Sequence, residues 1–246
     1  MKVLLIGESC LDVFHYGECK RLCPEAPAPV FNSLSTIQSE GMASNVYNNI
    51  KQLTNSENIK LITNANYQNI KKTRFVEEKS NHMFLRLDEN DKDYGRLKNI
   101  KNINFSKYDG IIISDYNKGF LSNEDMKYIS ENSKLSFLDT KRALGEWSMG
   151  FTFVKINKDE FERTKHSIGK SLMRKLIITE GSKGCIHAGK RYTVPSVEVK
   201  DVSGAGDSFL AAFSHHYIMT ENVEASIIFA NDCATRVVQK RAVSTL

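Results

Sequence analysis

The sequence predicts an α/β fold in which a central, mostly parallel sheet is flanked by helices and carries a small β lid. Short apolar segments alternate with amphipathic ones along the 246 residues, which is typical of strands alternating with helices. Gly110–Ser114 contains three consecutive isoleucines, as expected of a strand buried on both faces. Two stretches, 13–40 and 71–88, lack this alternation, and we assign them to the lid.

The predicted strands of the central sheet are short apolar runs that end at polar residues or glycine. Their lengths fit strands rather than buried helices. The last of them ends at the pair Glu180-Gly181. In chain order they are Lys2–Ile6, Ile59–Thr63, Gly110–Ser114, Leu135–Asp139, Phe151–Ile156 and Lys175–Thr179.

The predicted helices lie between and after these strands. Ala43–Leu53 is the first. Ser122 with Asp125 three residues later forms a capping box, so a helix is expected to begin there. Two longer helices, Gly206–Met219 and Val223–Gln239, follow the last strand.

The lid prediction rests on two segments without helical periodicity. Residues 13–40 contain three of the four prolines. In residues 71–88, apolar residues recur at every second position, as at Met83, Leu85 and Leu87. We expect both segments to form antiparallel strands outside the main sheet. The chain is therefore predicted to be one domain, 1–246, whose lid consists of two separate insertions.

Composition argues against several classes of protein. There are 34 basic and 29 acidic residues, a net charge of +5, and the lysines are dispersed, so nucleic-acid binding is not expected. No apolar run approaches the roughly 18 residues of a membrane span, and the start is too weakly apolar for a secretory signal. The five cysteines include no C-x-x-C pair. We therefore expect reduced thiols in a cytoplasmic protein without a membrane partner.

The sharpest local signal is Asp201–Asp207, with the sequence DVSGAGD, directly before a predicted helix. Glycines there let backbone N–H groups converge, and a helix N-terminus favours anions, which suits a phosphoryl group in transfer. Asp207 would lie in the first turn. With an ordinary pKa of about 3.9 it would be ionised at neutral pH and able to accept a hydroxyl proton. From spacing alone, an ordinary glycine turn before a helix explains the segment equally well.

This segment resembles the signature of the ribokinase (PfkB) family of sugar kinases. Within that family, Gly7–Asp12, followed by Tyr16-Gly17 and Pro24–Val30, resembles the opening of the heptose 7-phosphate kinases. Further matches follow in the expected order: Thr73-Arg74, Leu85–Asp88, Ser114–Tyr116 with Lys118-Gly119, Asn157 with Glu160, Thr179–Gly184 and Phe229–Asn231.

The resemblance implies roles in catalysis and in binding of the acceptor. Asp207 would be the catalytic base, and three residues would form an anion hole, namely Gly204, Ala205 and Gly206. Asp12, Gly41 and Asn45 would belong to the sugar site. The short carboxylate of Asp12 and the amide of Asn45 would hydrogen-bond sugar hydroxyls, because such groups suit vicinal diols.

A second set of candidates concerns the substrate's own phosphate. Arg86, Lys118 and Lys141 are the basic residues considered, arginine as a fork and lysine as a point charge. For each of them, a solvated surface position or a salt bridge within the lid is the alternative, and Asp88 can pair with Arg86 on one strand face.

The resemblance also implies the cofactors ATP and Mg²⁺. The nucleotide site would be lined by Asn157, Thr179, Gly181 and Gly184, with Asn231 near the adenine. Glu160 would act on the metal through water, since a hard cation on phosphates usually keeps several waters. Arg241–Val243 replaces a stretch that in relatives often contains glycine and helps hold a monovalent cation, which leaves a potassium requirement open.

The implied reaction is ATP-dependent, in-line phosphoryl transfer to a hydroxyl of a heptose 7-phosphate or similar sugar phosphate. The alternatives are a kinase for another sugar or a nucleoside, and a non-catalytic binding protein on a degraded kinase scaffold. Lids in this family often pair between subunits, so a homodimer through the lid is a further expectation.

The sequence departs from the family pattern at three places. Met42 follows Gly41 where the family usually has a second glycine, so its side chain is expected to reshape the sugar pocket. Only seven residues separate Thr63 from Lys71, where relatives carry a helix and a further strand. Relatives also have a final helix or strand, and we do not expect one after Thr245.

Overall fold

The computed structural model describes residues 1–54 and 56–246. It contains twelve described strands: β1 Val3–Gly7, β2 Ser9–Leu22, β3 Pro29–Met42, β4 Ile59–Ile62, β5 Lys71–Glu77, β6 Met83–Glu89, β7 Gly110–Asp115, β8 Ser136–Thr140, β9 Phe153–Asn157, β10 Leu176–Thr179, β11 Cys185–His187 and β12 Lys190–Tyr192. The described α-helices are α1 Ala43–Leu53, α2 Asn123–Glu131, α3 Lys158–Thr164, α4 Lys170–Met173, α5 Ala205–Thr220 and α6 Val223–Val237.

The main sheet has the strand order β12-β11-β10-β9-β8-β7-β1-β4. Every pairing from β4 to β10 is parallel, and only β11 and β12 pair antiparallel. The predicted mostly parallel sheet is therefore confirmed. All six strands predicted for it form, with ends shifted by at most two residues. The β11–β12 hairpin was not predicted, because its strands are only three residues long.

Helices cover both faces of this sheet. Ile112 of β7 packs in one apolar core with Ile50 of α1 and Phe213 of α5. Its neighbours Ile111 and Ile113 pack in a second core with α2. Because successive residues of a strand point to opposite faces, the two cores lie on opposite sides of the sheet. The predicted capping box of α2 is present: Ser122 Oγ accepts from the Asp125 N–H, and Asp125 Oδ2 accepts from the Ser122 N–H.

The remaining four strands form a separate sheet, here called the lid sheet, in the order β3-β2-β5-β6. The expectation of antiparallel strands throughout is wrong for β2 and β5, which pair in parallel with Asp12 opposite Lys72. The reason is topological, since both strands leave the main sheet from the same end, after β1 and β4. The first lid segment is also longer than predicted: β2 begins at Ser9, directly after β1, and β3 ends at Met42, where α1 begins.

The short stretch between β4 and β5 contains only one turn of 3₁₀-helix, Tyr67–Asn69. β4 is accordingly an edge strand of the main sheet. Within the described part of the chain, no helix combines the length and apolar character needed to cross a membrane.

Candidate active site

Two adjoining pockets open at the carboxyl ends of the parallel strands, where ligands usually bind in such sheets. The larger pocket has a volume of about 640 Å³ and the smaller pocket about 400 Å³. Four residues line both pockets, namely Tyr116, Lys141, Gly204 and Asp207. These shared residues come from the loops after β7 and β8 and from the start of α5, so they form the wall between the two pockets.

The start of α5 depends on two glycines for its close approach to neighbouring side chains. Gly204 precedes the helix at φ 80°, a left-handed conformation that favours glycine. A Cβ at Gly204 would lie 2.6 Å from Asn45 Nδ2, and one at Gly206 would lie 2.8 Å from Lys155 Nζ. Gly204, Ala205 and Gly206 all line the larger pocket, beside the N–H groups that a first helical turn leaves without helical partners.

Asp207 is buried at the junction of the pockets and held by two donors. Asn45 Nδ2 donates to Oδ2 and the Tyr116 hydroxyl donates to Oδ1, each at 2.9 Å. Burial, reinforced by Asp139, raises the pKa of Asp207 to about 6, against the lowering effects of these two hydrogen bonds and of Lys155. The ordinary carboxyl pKa expected from the sequence is thus corrected upward, while the carboxylate stays the major form at neutral pH.

The larger pocket contains a buried ion pair that the sequence reasoning missed. Lys155 Nζ lies 2.7 Å from Asp139 Oδ2, and both side chains are almost fully buried. Asp139 Oδ1 is buried without a hydrogen-bond partner among the described residues. The signal that could have revealed the pair is a charged residue near the end of each of two adjacent, otherwise apolar strands.

Asn157 and Glu160 form a capping box at the start of α3, a structural role that the sequence reasoning also missed. Asn157 Oδ1 accepts from the Glu160 N–H at 2.8 Å, and Glu160 Oε2 accepts from the Asn157 N–H at 2.7 Å. Glu160 Oε1 lies 2.6 Å from Lys141 Nζ. Both carboxylate oxygens of Glu160 therefore have partners within the protein, and its contact with the pocket wall is the ion pair with Lys141.

These contacts bear on where a divalent cation would be held. No cluster of three or more His, Cys, Asp or Glu side chains able to hold a metal occurs among residues 1–54 and 56–246. A hard cation bound mainly by phosphates and water needs only one or two protein carboxylates. Asp139 offers the free oxygen that Glu160 lacks. The donor set therefore fits such a cation, and Asp139 is the carboxylate with an oxygen that makes no hydrogen bond within the described residues.

The remainder of the larger pocket combines polar groups with an apolar wall. Asn157, Thr179, Gly181 and Gly184, the residues expected at a nucleotide site, line this pocket, and so does Asn231, whose Nδ2 donates to the Tyr192 carbonyl. The apolar lining includes Val194, Val197, Val199, Val202, Phe209 and Val238. Such a lining suits a ligand that has a flat heterocycle against the apolar wall and phosphates at the polar end of the pocket.

Asp12 in the smaller pocket is fixed by its neighbours. Its Oδ1 accepts from Arg74 Nη1 at 2.5 Å. Gly41 does not line the pocket, but a Cβ there would lie 2.0 Å from Asp12 Oδ2. Gly41 therefore serves this site by making room for the Asp12 carboxylate. Asn45 likewise lines neither pocket and acts on the site through Asp207.

All three basic candidates, Arg86, Lys118 and Lys141, line the smaller pocket. Arg86 forms the expected pair with Asp88, with donor–acceptor distances of 2.7 and 3.0 Å. In total the pocket is lined by five basic side chains and four carboxylates, of which one is Asp207. An anionic ligand fits this surplus of positive charge.

Lys118 belongs to a cluster whose other members the sequence reasoning did not identify. Asp91 lies between two ammonium groups, 2.5 Å from Lys118 Nζ and 2.6 Å from Lys72 Nζ, and it also accepts from the Tyr94 hydroxyl. Burial would raise the pKa of Asp91, but the hydrogen bonds from Lys118, Lys72 and Tyr94 hold it well below its usual value. Asp91 therefore stays charged and keeps both lysines directed into the pocket.

Met42, the departure noted in the sequence, forms part of the wall of the smaller pocket. Its backbone has φ 61° and ψ −130°, a region that side-chain-bearing residues rarely occupy. The side chain packs with Cys10, Ile70 and Tyr94. Met42 therefore places an apolar side chain beside the charged groups of this pocket.

Glu8 holds the loop that carries Tyr116 and Lys118. Its buried carboxylate accepts from the backbone N–H of Tyr116 at 2.8 Å and of Lys118 at 3.0 Å. Burial and nearby Asp115 raise the pKa of Glu8 in spite of these bonds. Sequence reasoning gave Glu8 no role, because its partners are more than 100 residues away.

The structure resembles solved structures of the ribokinase fold. Over 99% of this chain and 93% of the other, it matches a Methanocaldococcus jannaschii nucleoside kinase, described as an archaeal member of the ribokinase family, with a TM-score of 0.67 and 19% identity. It matches an Arabidopsis thaliana ribokinase, solved with ribose and ATP, over 98% of this chain and 92% of the other, with a TM-score of 0.67 and 13% identity. At these identities the likeness supports the fold alone.

Sequence relatives cover nearly the whole chain. The bifunctional protein HldE of Nitratiruptor is 27% identical over 292 aligned residues, and that of Aliarcobacter butzleri is 28% identical over 296, each alignment covering 99% of this chain. The chain spans only 63% and 62% of the length of these two relatives. The family model described as pfkB family carbohydrate kinase matches residues 39–246. The chain therefore belongs to the pfkB family of carbohydrate kinases.

Proposed function

We propose that this phosphotransferase moves the γ-phosphoryl group of ATP to a hydroxyl of a sugar phosphate, namely a heptose 7-phosphate or a close analogue. The observation that carries the proposal is Asp207, which lies in the wall between two pockets of different chemistry. The larger pocket has the apolar wall and the anion-favouring helix start that a nucleotide needs. The smaller pocket has the carboxylates and basic groups that suit a phosphorylated polyol.

The proposed chemistry follows from what these groups can do. Asp207 accepts the proton of the attacking hydroxyl; each of its oxygens has a second lone pair besides the one used by Asn45 or Tyr116. Charge spreads over the transferred group, and the start of α5 and the Lys141 ammonium stabilise it. Burial lowers the pKa of Lys141, but Asp139 and Glu160 outweigh burial and raise it, so Lys141 remains a cation.

Magnesium would be held at Asp139 together with the nucleotide phosphates, with Glu160 acting through Lys141. When bound, the ion would neutralise charge on the phosphates. Asp139 Oδ1 has no hydrogen-bond partner among the described residues, and the Lys155 ammonium fixes the carboxylate through Oδ2. The five cysteines are free thiols, and with ATP as the donor we place the reaction in the cytoplasm.

Substrate class is tested by a panel of matched acceptors with ATP and Mg²⁺, with ADP release as the readout. Each pair contains a sugar and its phosphate: heptose with heptose 7-phosphate, fructose with fructose 6-phosphate, and ribose with ribose 5-phosphate. A nucleoside is included, and each reaction is run with and without potassium. We expect the phosphorylated member of a pair to be preferred, with the heptose phosphate fastest. Preference for free sugars or the nucleoside would overturn the substrate proposal, and ATP binding without ADP release would favour the non-catalytic alternative.

Lys118→Met is expected to separate recognition of phosphate from catalysis. Loss of one charged hydrogen bond, worth about 1.5–3 kcal/mol, should raise KM for a sugar phosphate roughly tenfold or more. KM for the unphosphorylated sugar should stay unchanged, because it offers Lys118 no anion. Lys127→Met, at an exposed position on α2, is the matched control. Equal effects on both acceptors would contradict the assignment.

We also propose that the lid sheets of two copies pair to form a homodimer. Arg86 lines the smaller pocket, so its neighbours Leu85 and Leu87 on β6 point to the opposite face, where they are 58% and 47% exposed. Sedimentation should give twice the chain mass of 27.9 kDa. The double variant Leu85→Glu, Leu87→Glu should sediment as a monomer; a monomeric wild type would rule out this dimer.

A further inference from the structure

We infer that Tyr116 is a positioning residue for Asp207, fixing the orientation and the proton affinity of the base through its hydroxyl. The inference rests on the proposed role of Asp207. The Tyr116 hydroxyl donates to Asp207 Oδ1, and Asn45 donates to Oδ2, so each oxygen has one donor and one open lone pair. The carboxylate is thereby held with its open positions directed into the wall between the pockets.

Three contacts hold Tyr116 itself in place. Its backbone N–H donates to the buried carboxylate of Glu8. Its ring packs against the apolar cluster that contains Met42 and Tyr94. The Lys141 ammonium lies 5.6 Å from the ring centroid, within the range of a cation–π contact. A hydroxyl fixed from three directions gives Asp207 a rigid donor.

Tyr116 remains a donor throughout the working pH range. Burial and the nearby carboxylates of Asp207 and Asp139 raise its phenol pKa well above the usual value. A neutral phenol can donate to a carboxylate and favours its charged form. The Tyr116 hydroxyl thus lowers the pKa of Asp207, against the effect of burial, and helps to keep the carboxylate ionised at neutral pH.

Removal of the Tyr116 hydroxyl leaves in place the other polar and charged groups that face Asp207. They come from different elements, and each has a defined charge or polarity. They are Cys10 of β2, Asn45 of α1, Asp139 of β8, Lys141 after β8 and Lys155 of β9. A change in the titration of Asp207 after removal of the Tyr116 hydroxyl can therefore be attributed to that hydroxyl.

The test is direct titration of Asp207 in the full chain, by ¹³C NMR of labelled aspartate with Asp207→Asn to identify the signal. Tyr116→Phe keeps the packed ring and removes only the hydroxyl. We expect the Asp207 pKa to rise by about one unit in this variant. Tyr128→Phe on α2, outside both pockets, should leave it unchanged. An unchanged Asp207 pKa in Tyr116→Phe, with thermal unfolding like that of the wild type, would overturn the inference.

Kinetics give a second readout with the preferred acceptor. The acid limb of the kcat/KM profile should move to higher pH in Tyr116→Phe by the same amount as the NMR titration. The maximal kcat should fall several-fold, with little change in the KM for ATP. A purely structural role would lower activity without moving the limb. The NMR result does not require turnover, so an inactive wild type would count against the proposed function, while an unmoved titration would count against Tyr116.

Discussion

Asp207→Asn is expected to lower the rate of phosphoryl transfer by a factor of about 100 or more, the usual contribution of a general base. The amide cannot accept the proton of the acceptor hydroxyl, whereas both pockets keep their shape. ATP affinity, measured by calorimetry, should change little. Retention of more than a tenth of wild-type turnover at the optimum pH would exclude Asp207 as the base.

The same substitution is expected to stabilise the fold at neutral pH. Three carboxylates, those of Asp207, Asp139 and Glu160, lie beside only two ammonium groups, those of Lys141 and Lys155. Burial raises the pKa of Asp207 from 3.8 to about 6. The folded state thus favours the protonated carboxyl, and this stabilisation is complete below pH 4 and is lost as the pH rises through 6. Removing the charge at pH 7.5 should recover at most about 3 kcal/mol.

Chemical unfolding at several pH values tests this second effect. The stability advantage of Asp207→Asn should be largest above pH 7 and should shrink as the pH falls from 7 to 5. Asp232→Asn, on the exposed side of α6 and away from both pockets, is a control in which a surface carboxylate is removed. A variant less stable than the wild type at pH 7.5 would show that the Asp207 charge is better compensated than its burial indicates.

Gly204→Ala is expected to lower kcat by about two orders of magnitude, comparable to loss of a catalytic hydrogen-bond donor. The new Cβ would lie 2.6 Å from Asn45 Nδ2, the group that donates to Asp207 Oδ2. The backbone at φ 80° also disfavours alanine. The change therefore displaces the base and the helix start together.

Gly189→Ala is the matched control for this prediction. Gly189 has nearly the same φ, 81°, in the turn between β11 and β12, but a Cβ there meets nothing within 4 Å. Both variants should lose roughly 1–2 kcal/mol of stability because alanine is strained at a left-handed φ, and only Gly204→Ala should lose turnover. Similar kinetics in the two variants would show that space at Gly204 is not required.

The parts of the site that could be predicted are those encoded in short, local patterns. The glycine-rich approach to α5 and the Ser122 cap are signals a few residues long, because the relevant groups are neighbours in the chain. The Glu8 contact with Tyr116 spans 108 residues, and the Lys155–Asp139 pair joins two strands. No spacing rule connects such partners, so sequence patterns could not reveal them.

The pKa shifts in the site could not be predicted from sequence patterns either, because they depend on burial. Asp207 has an unremarkable position in the first turn of a helix, yet its pKa is shifted by desolvation and by groups from other elements. The parallel pairing of β2 with β5 had a similar origin. Each strand alternates as any lid strand would, and the direction of pairing follows from where the preceding strands of the main sheet end.

The wall of shared residues has a consequence for inhibitor design. Tyr116, Lys141, Gly204 and Asp207 line both pockets, so a short chemical linker should join a ligand in one pocket to a ligand in the other. In such a conjugate, binding of one half raises the effective concentration of the other at its own pocket into the millimolar range. With the ligands proposed above for the two pockets, a nucleoside tethered to a sugar phosphate should bind this chain far more tightly than either half. The best linker length would report the distance between the two pockets.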